Sequence, residues 1–261
     1  MNGTLLGRRI LVTRPAAQAG VLAQMIAERG GEPVLFPLIE IGPTDNDNSA
    51  PLDAAIEILE DYAIAVFISP NAVEYSVPRI LERQTWPAQL RAAAIGPGTT
   101  AQLAIFGINE VIAPSARFDS ESVLELPAFQ SERVAGKRVL MLRGNGGREL
   151  LADSLRQRGA EVDCVTCYRR SAPVDGSALV SRLRNNALDA LTLSSSEGLR
   201  NLLTLLDTDA IDRLRRLPLF VPHPRIADVA TESGLTNVVL TGPADAGILE
   251  SLCSYHWPRH E

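Results

Sequence analysis

Two stretches of this chain are copies of one pattern, and that duplication constrains the fold more than any other feature. Residues 7–41 read GRRILVTRPAAQAGVLAQMIAERGGEPVLFPLIEI, and residues 136–170 read GKRVLMLRGNGGRELLADSLRQRGAEVDCVTCYRR. At an offset of 129, with no gap, nine positions are identical: Gly7/Gly136, Arg9/Arg138, Leu11/Leu140, Arg14/Arg143, Leu22/Leu151, Ala23/Ala152, Arg29/Arg158, Gly30/Gly159 and Glu32/Glu161. Further on the offset becomes 126. Ser69 in AVFISPNAV then aligns with Ser195 in LTLSSSEGL, Ile95 with Val221, Ala101 with Ala227 and Asp119 with Asp245. Such a period far exceeds the roughly 20–50 residues of a solenoid unit, so the copy is the size of a domain.

Within each copy the elements alternate. Residues 9–13 form a short apolar run, the mark of a buried strand. Residues 17–29 predict a helix with Val21, Leu22, Met25 and Ile26 on one face, ended by Gly30-Gly31. Residues 34–41 are extended, since Pro33 and Pro37 forbid helix. Then follow a helix over 52–59, a strand over 63–68, a helix over 72–82 bent at Pro78, and a strand over 92–95. A helix over 99–106, a strand over 110–112 and a helix over 120–126 complete the first copy. Alternation of apolar strands with helices predicts an α/β fold with parallel sheet covered on both faces. The segments FPLIEI (36–41) and CYRRSAP (167–173) lie at equivalent places, each before a turn-rich or proline-containing stretch, GPTDNDNSAP and SAPVDG. Prolines are badly placed in core strands. Two extended links between two similar domains fit the pattern better.

Composition removes several classes of function. Of 261 residues, 46% are apolar and 21% charged, enough to build a full core. With 31 acidic and 25 basic side chains the net charge is -6, the wrong sign for a sequence-independent nucleic-acid binder. No apolar run reaches the roughly 18–20 residues of a membrane helix. The opening MNGTLLGRRILVTRP reads as a first strand rather than a signal peptide, which also argues against a periplasmic ligand receptor. Three cysteines make no disulfide framework, so a reducing, cytoplasmic setting is expected.

In a parallel sheet, ligands meet the carboxyl ends of the strands and the helix N-termini that follow. The loops predicted there are Thr13-Arg14-Pro15, Ser69-Pro70-Asn71, Gly96-Pro97-Gly98-Thr99, Arg143-Gly144-Asn145-Gly146-Gly147, Ser194-Ser195-Ser196 and Pro222-His223-Pro224-Arg225. Each hydroxyl or amide can be a plain N-cap. Six such loops together, three of them with arginine, point to an anionic ligand. Other motifs fail. RGNGGRE lacks the Gly-Lys-Ser/Thr ending of a phosphate loop, and has Glu149 where a dinucleotide fingerprint needs glycine. Cys164 and Cys167 sit three apart on a strand, hence on opposite faces, and read as two buried structural thiols. His256 and His260 have no third ligand nearby, and no carboxylates gather at metal spacing. His223 finds no serine and acid to form a triad. Tyr168, beside Arg169-Arg170 at a predicted link, either aims its hydroxyl at a cleft or packs on the sheet as strand tyrosines do.

The ordered set ILVTRPAAQA, VFISPNAV, IGPGTTAQL, FDSESVLEL, VLMLRGNGGRELLADSLRQRGAEV, CYRR, LTLSSSEGL and PHPRIADVA resembles the uroporphyrinogen-III synthase family over roughly 250 residues. The resemblance implies two flavodoxin-like parallel-sheet domains joined by a two-stranded link, with the active site in the cleft between them. Carried onto this chain, one domain is 1–35 with 174–261, the other is 42–167, and the links are 36–41 and 168–173. The implied reaction dehydrates and cyclises hydroxymethylbilane, a linear tetrapyrrole with eight carboxylates, and inverts ring D. It uses no metal or organic cofactor. Tyr168 matches the family's linker tyrosine and would be the general acid, since a tyrosine hydroxyl is protonated at neutral pH. Arg14, Ser69, Pro70, Asn71, Gly96, Thr99, Arg143, Gly144, Ser194, Ser195, Ser196, Pro222 and His223 would bind substrate, although at Pro222-His223-Pro224 a hydroxyl loop would be expected instead. Arg14 and Arg143 can equally pair with acidic side chains at the sheet end. The expected partners are the small-molecule substrate and, transiently, the enzyme that makes it. Neither nucleic acid nor membrane is expected, and the chain would be a monomer. The alternative is a tetrapyrrole- or polyanion-binding sensor of the same fold that turns nothing over.

Overall fold

The computed structural model describes residues 4–44, 50–147 and 149–257, so the turn-rich residues 45–49, Arg148 and His260 lie outside the described residues. In chain order the first half forms β1 (Arg9–Val12), α1 (Ala16–Glu28), β2 (Glu32–Leu35), β3 (Glu40–Pro43), α2 (Ala50–Glu57), β4 (Tyr62–Phe67), α3 (Pro70–Arg83), β5 (Arg91–Ala94), α4 (Pro97–Ile105), β6 (Val111–Ile112), α5 (Ser120–Glu125) and α6 (Ser131–Val134). The second half forms β7 (Arg138–Gly144), α7 (Leu150–Gln157), β8 (Glu161–Ser171), α8 (Ser177–Arg184), β9 (Ala190–Thr192), α9 (Ser196–Leu205), α10 (Thr208–Leu214), β10 (Leu219–Val221), α11 (Pro224–Glu232), β11 (Val238–Leu240) and α12 (Ala244–Ser254). Most predicted bounds move by one or two residues, as element ends do.

The chain divides into two compact units, Met1–Glu40 with Ser171–Glu261, and Ile41–Arg170. In the first, five strands lie in the order β11-β10-β9-β1-β2, with parallel pairing throughout. By order of appearance within the unit that is the 2-1-3-4-5 arrangement of flavodoxin-like sheets. In the second, the order is β3-β8-β7-β4-β5-β6, and β8-β7-β4-β5-β6 pair in parallel. The duplication equates β7 and β8 with β1 and β2, and β4, β5 and β6 with β9, β10 and β11. The two sheets are therefore the same arrangement. Each is assembled from one piece of either repeat.

Every central strand is apolar on both faces because both are covered. Along β1, Ile10 and Val12 enter one core cluster with Leu22, Ile26 and Phe220. Leu11 enters the opposite one with Val34, Leu191 and Val221. Along β4, Ala65 and Phe67 face one cluster while Ile64 and Val66 face the other. Both units are thus three-layered, helix on sheet on helix. Pro33 falls within β2, which is tolerated because β2 is an edge strand that pairs, among the described residues, with β1 alone. Gly30 and Gly159, equated by the duplication, end α1 and α7 with φ of 82° and 87°, a conformation that favours glycine.

Several expectations need correction. The extended stretch 34–41 is not continuous: β2 stops at Leu35, and β3 begins at Glu40 in the other sheet, beside β8. The buried stripe of α1 is Ala19, Leu22 and Ile26, whereas Val21 is 63% exposed. Val21 lies about 100° around the helix from Leu22 and so leaves the core face. The helix expected over 72–82 does include Pro78, as α3, Pro70–Arg83. Strand pairing also refines the repeat alignment. Ala65 pairs with Ala92 and Leu191 with Leu219, which equates β5 with β10 at an offset of 127. A one-residue insertion between strands leaves no trace in short sequence matches.

Candidate active site

At the carboxyl end of the second unit's sheet, backbone geometry brings Tyr168 to Ser69. Arg143 pairs with Thr166, but the next pair is Gly144 with Tyr168, so Cys167 is an extra residue in β8. In simple alternation Cys167 and Tyr168 would face opposite sides. The bulge lets both enter one cluster with Phe67 and Ala72. The Tyr168 ring lies over Gly144: a Cβ there would fall 2.6 Å from Tyr168 Cζ and 2.9 Å from its Oη. Tyr75 of α3 stacks on the Tyr168 ring at 6.0 Å between centroids. Tyr168 is 5% exposed, and its Oη lies 3.0 Å from Ser69 Oγ. Ser69 is in turn the N-cap of α3, accepting from the Ala72 N–H at 3.1 Å.

Around this pair the neighbouring loops close in. Pro70 starts α3 and reaches the first turn of α4, with Pro70 Cγ 3.6 Å from where a Cβ on Gly98 would stand. Asn71 is partly exposed beside it. Gly96 caps α4, and Thr99, two residues on from Pro97, is 3% exposed. Arg143 pairs with Glu149 at 2.7 Å. That contact raises the guanidinium further and lowers the Glu149 carboxyl below its ordinary value. The first unit's sheet presents a second set. Thr13 Oγ1 donates to the Thr192 carbonyl, tying β1 to β9 at 2.7 Å. Arg14 pairs with Asp245 at 2.7 Å. Ser195 caps α9 by accepting from the Gly198 N–H at 2.9 Å, between exposed Ser194 and half-buried Ser196. After half-buried Pro222, exposed His223 caps α11, its Nδ1 accepting from the Arg225 N–H at 3.1 Å. Capping is therefore what Ser69, Ser195 and His223 do in the structure, and both arginines adopt the acidic pairing.

The roles of three contributors were not anticipated. Phe118, 51% exposed, packs against Gly96, whose added Cβ would sit 3.2 Å from Phe118 Cβ. Asn145 clips the end of β8: its Nδ2 donates to the Arg170 carbonyl and its Oδ1 accepts from the Arg170 N–H. Tyr75 is the third. An asparagine just past a strand is a turn residue able to hydrogen-bond backbone, so Asn145 carried a readable signal. Phe118 and Tyr75 did not, because exposure and stacking depend on the sheet order.

The cysteines differ from expectation. Cys167 is buried but Cys164 is exposed, with Arg156 Nη2 3.6 Å from its Sγ. Its strand lies in a part of β8 where one face meets solvent. Burial pushes the Cys167 thiol up to about 12. Iodoacetamide at pH 8 should therefore alkylate Cys164 in the folded protein and leave Cys167 untouched until denaturant is added. Equal labelling of both by mass spectrometry would contradict this placement.

Among the described residues no helix is long and apolar enough to cross a membrane. A sequence model of the family described as "Uroporphyrinogen-III synthase HemD" matches residues 20–250. The uroporphyrinogen-III synthase of Salmonella typhimurium is 33% identical over 239 residues, covering 90% of this chain and 96% of that enzyme. That of Escherichia coli is 32% identical over the same length and shares. In fold, the chain is similar to a mutant uroporphyrinogen III synthase from Thermus thermophilus (TM-score 0.62, 15% identity, 94% of this chain and 97% of that one). The uroporphyrinogen-III synthetase of Helicobacter pylori gives a TM-score of 0.59 at 17% identity, over 95% and 99% of the two chains. A family match that spans nearly the whole chain, over a duplicated α/β fold shared with these enzymes, places this protein in the uroporphyrinogen-III synthase family.

Proposed function

We propose that the protein dehydrates and cyclises hydroxymethylbilane to uroporphyrinogen III with inversion of ring D, a carbon–oxygen lyase reaction. The observation that carries this reading is the family match along the chain. Tyr168 acts as general acid: its proton passes to the departing hydroxyl, the carbon–oxygen bond breaks, and water leaves. Attack at the substituted carbon of ring D through a spiro intermediate then depends on how the chain holds the bilane. Arg14, Arg143, the backbone about Asn71, Gly96 and Gly144, the hydroxyls of Thr99 and Ser194-Ser195-Ser196, and the Pro222-His223 turn hold its carboxylates. Helix N-termini favour such groups. With a net charge of -6, the protein as a whole repels an octa-anion, and these donors supply local attraction against that background. We place the reaction in the cytoplasm, with the chain acting as a monomer that meets the bilane-forming enzyme transiently.

A two-enzyme assay tests the reading. Hydroxymethylbilane is generated in place, the products are oxidised, and the isomers are separated by chromatography. Type III in excess at catalytic protein concentration is expected; only type I, the product of unassisted closure, from folded protein would overturn it. The Arg143–Glu149 contact provides a finer check. If Arg143 binds a substrate carboxylate, Glu149 competes for it. Glu149→Gln should then lower KM by about two- to fivefold, the worth of an exposed ion pair. An unchanged KM would remove Arg143 from the binding set.

A further inference from the structure

Counting protons at Ser69 separates two uses that its hydroxyl cannot serve at once. A serine hydroxyl has one hydrogen and two lone pairs. One lone pair of Ser69 Oγ is taken by the Ala72 N–H at 3.1 Å. The same oxygen lies 3.0 Å from Tyr168 Oη, and either could be the donor by geometry. Accepting from Ala72 N–H polarises Ser69 so that its O–H is a better donor and its oxygen a poorer acceptor. The ring of Tyr168 cannot swing away to choose another partner, held as it is against Gly144 and Tyr75. Helix α3 is 14 residues long, and its N-terminus favours negative charge developing at this spot.

We propose that Ser69 is a positioning residue for the reaction rather than a ligand of substrate carboxylate: its hydroxyl donates to Tyr168 Oη and turns the phenolic proton outward, toward the departing hydroxyl. The proposal rests on the reading of Tyr168 as the acid. As Tyr168 gives up its proton and water departs, the Ser69 O–H and the α3 N-terminus stabilise the phenolate. The proton released when the macrocycle closes restores the phenol. Arg143 and the backbone N–H groups remain for the carboxylates.

The test uses Ser69→Ala, Ser69→Thr, Ser69→Asp and Tyr168→Phe, singly and with Ser69→Ala combined with Tyr168→Phe, in the two-enzyme assay. Ser69→Ala should lower kcat about 10- to 100-fold, the worth of a hydrogen bond to a charge, with KM within twofold of wild type. Ser69→Thr keeps hydroxyl and cap and should recover most of kcat. Ser69→Asp keeps the cap, so the helix start survives, but an ionised carboxylate can only accept. It draws the phenolic proton inward and should lose at least as much kcat as Ser69→Ala. In the Tyr168→Phe background, Ser69→Ala should change kcat no further. The proposal is overturned if Ser69→Ala raises KM at constant kcat, if its effect persists in full without the Tyr168 hydroxyl, or if Ser69→Asp keeps wild-type kcat. Wild-type kcat in Tyr168→Phe alone would instead sink the acid reading, and the positioning role with it.

Discussion

Tyr168→Phe is expected to lower kcat by about 10²- to 10⁴-fold, the usual contribution of a positioned general acid, while KM and thermal stability stay close to wild type. One oxygen is lost and nothing around it needs to move. The phenylalanine ring keeps its place over Gly144 and against Tyr75, and Ser69 still caps α3 through the Ala72 N–H. What disappears is the phenolic proton that the proposed reaction delivers to the departing hydroxyl. The measurement is kcat for type III formation, with the isomer ratio followed alongside. A shift of product toward type I would mean that unassisted closure overtakes a slowed enzyme. A kcat within threefold of wild type would take Tyr168 out of the reaction.

The largest stability effect is expected at Phe220. Its side chain is fully buried and packs edge-on against Tyr255 at 5.4 Å and beside Trp257 at 6.3 Å. It also fills the layer beneath α1 and α12, among Leu22, Ile26 and Ile248. Phe220→Ala leaves a cavity that a sheet strand cannot collapse around, at a cost of about 3–5 kcal/mol. Two tryptophans allow the effect to be localised. Trp86 packs on Phe67 in the other unit, so a Trp86→Phe background leaves Trp257 as the reporter. Urea unfolding followed by that fluorescence should show its midpoint fall by more than about 1 M, given a slope of 1–3 kcal/mol/M. A midpoint moved by a few tenths of a molar would mean that the aromatic cluster does little for the first unit.

Much of the architecture is legible in the residues. The buried run of β4 and the capped start of α9 follow from periodicity and cap chemistry alone. The duplication is visible in nine identities without a gap. What the pattern lacks is neighbour identity. A strand apolar on both faces announces that it is covered, but not which strand lies beside it, so β1 next to β9 could not be read from either segment. The bulge at Cys167 is hidden for a related reason, because strand reading assumes a period of two and a single extra residue breaks it unseen. Ser69 shows the limit at the site. Its type and place identified a helix cap or an anion donor, whereas its contact with Tyr168, 99 positions away, exists only once β4 and β8 flank β7. The same holds for Phe118, an aromatic whose exposure depends on the loop packed beneath it.

Exchange of pieces between the repeats sets an order on synthesis. Ile41–Arg170 is continuous, so the ribosome delivers all of that unit in one stretch. The other unit begins earlier and finishes later. β1 emerges first, yet Thr13 must wait for the Thr192 carbonyl, 179 residues on, to satisfy its hydroxyl. Until then the Leu11 and Val34 face of β1 and β2 is uncovered and β1 has an open strand edge, the kind of surface that invites wrong pairing. The nascent chain thus carries an orphaned βαβ motif for as long as Ile41–Arg170 is being made, while that sister unit holds its own equivalent of the missing strands. Any helper that shields emerging apolar segments would find its longest task at β1, α1 and β2, and β9, β10 and β11 release it.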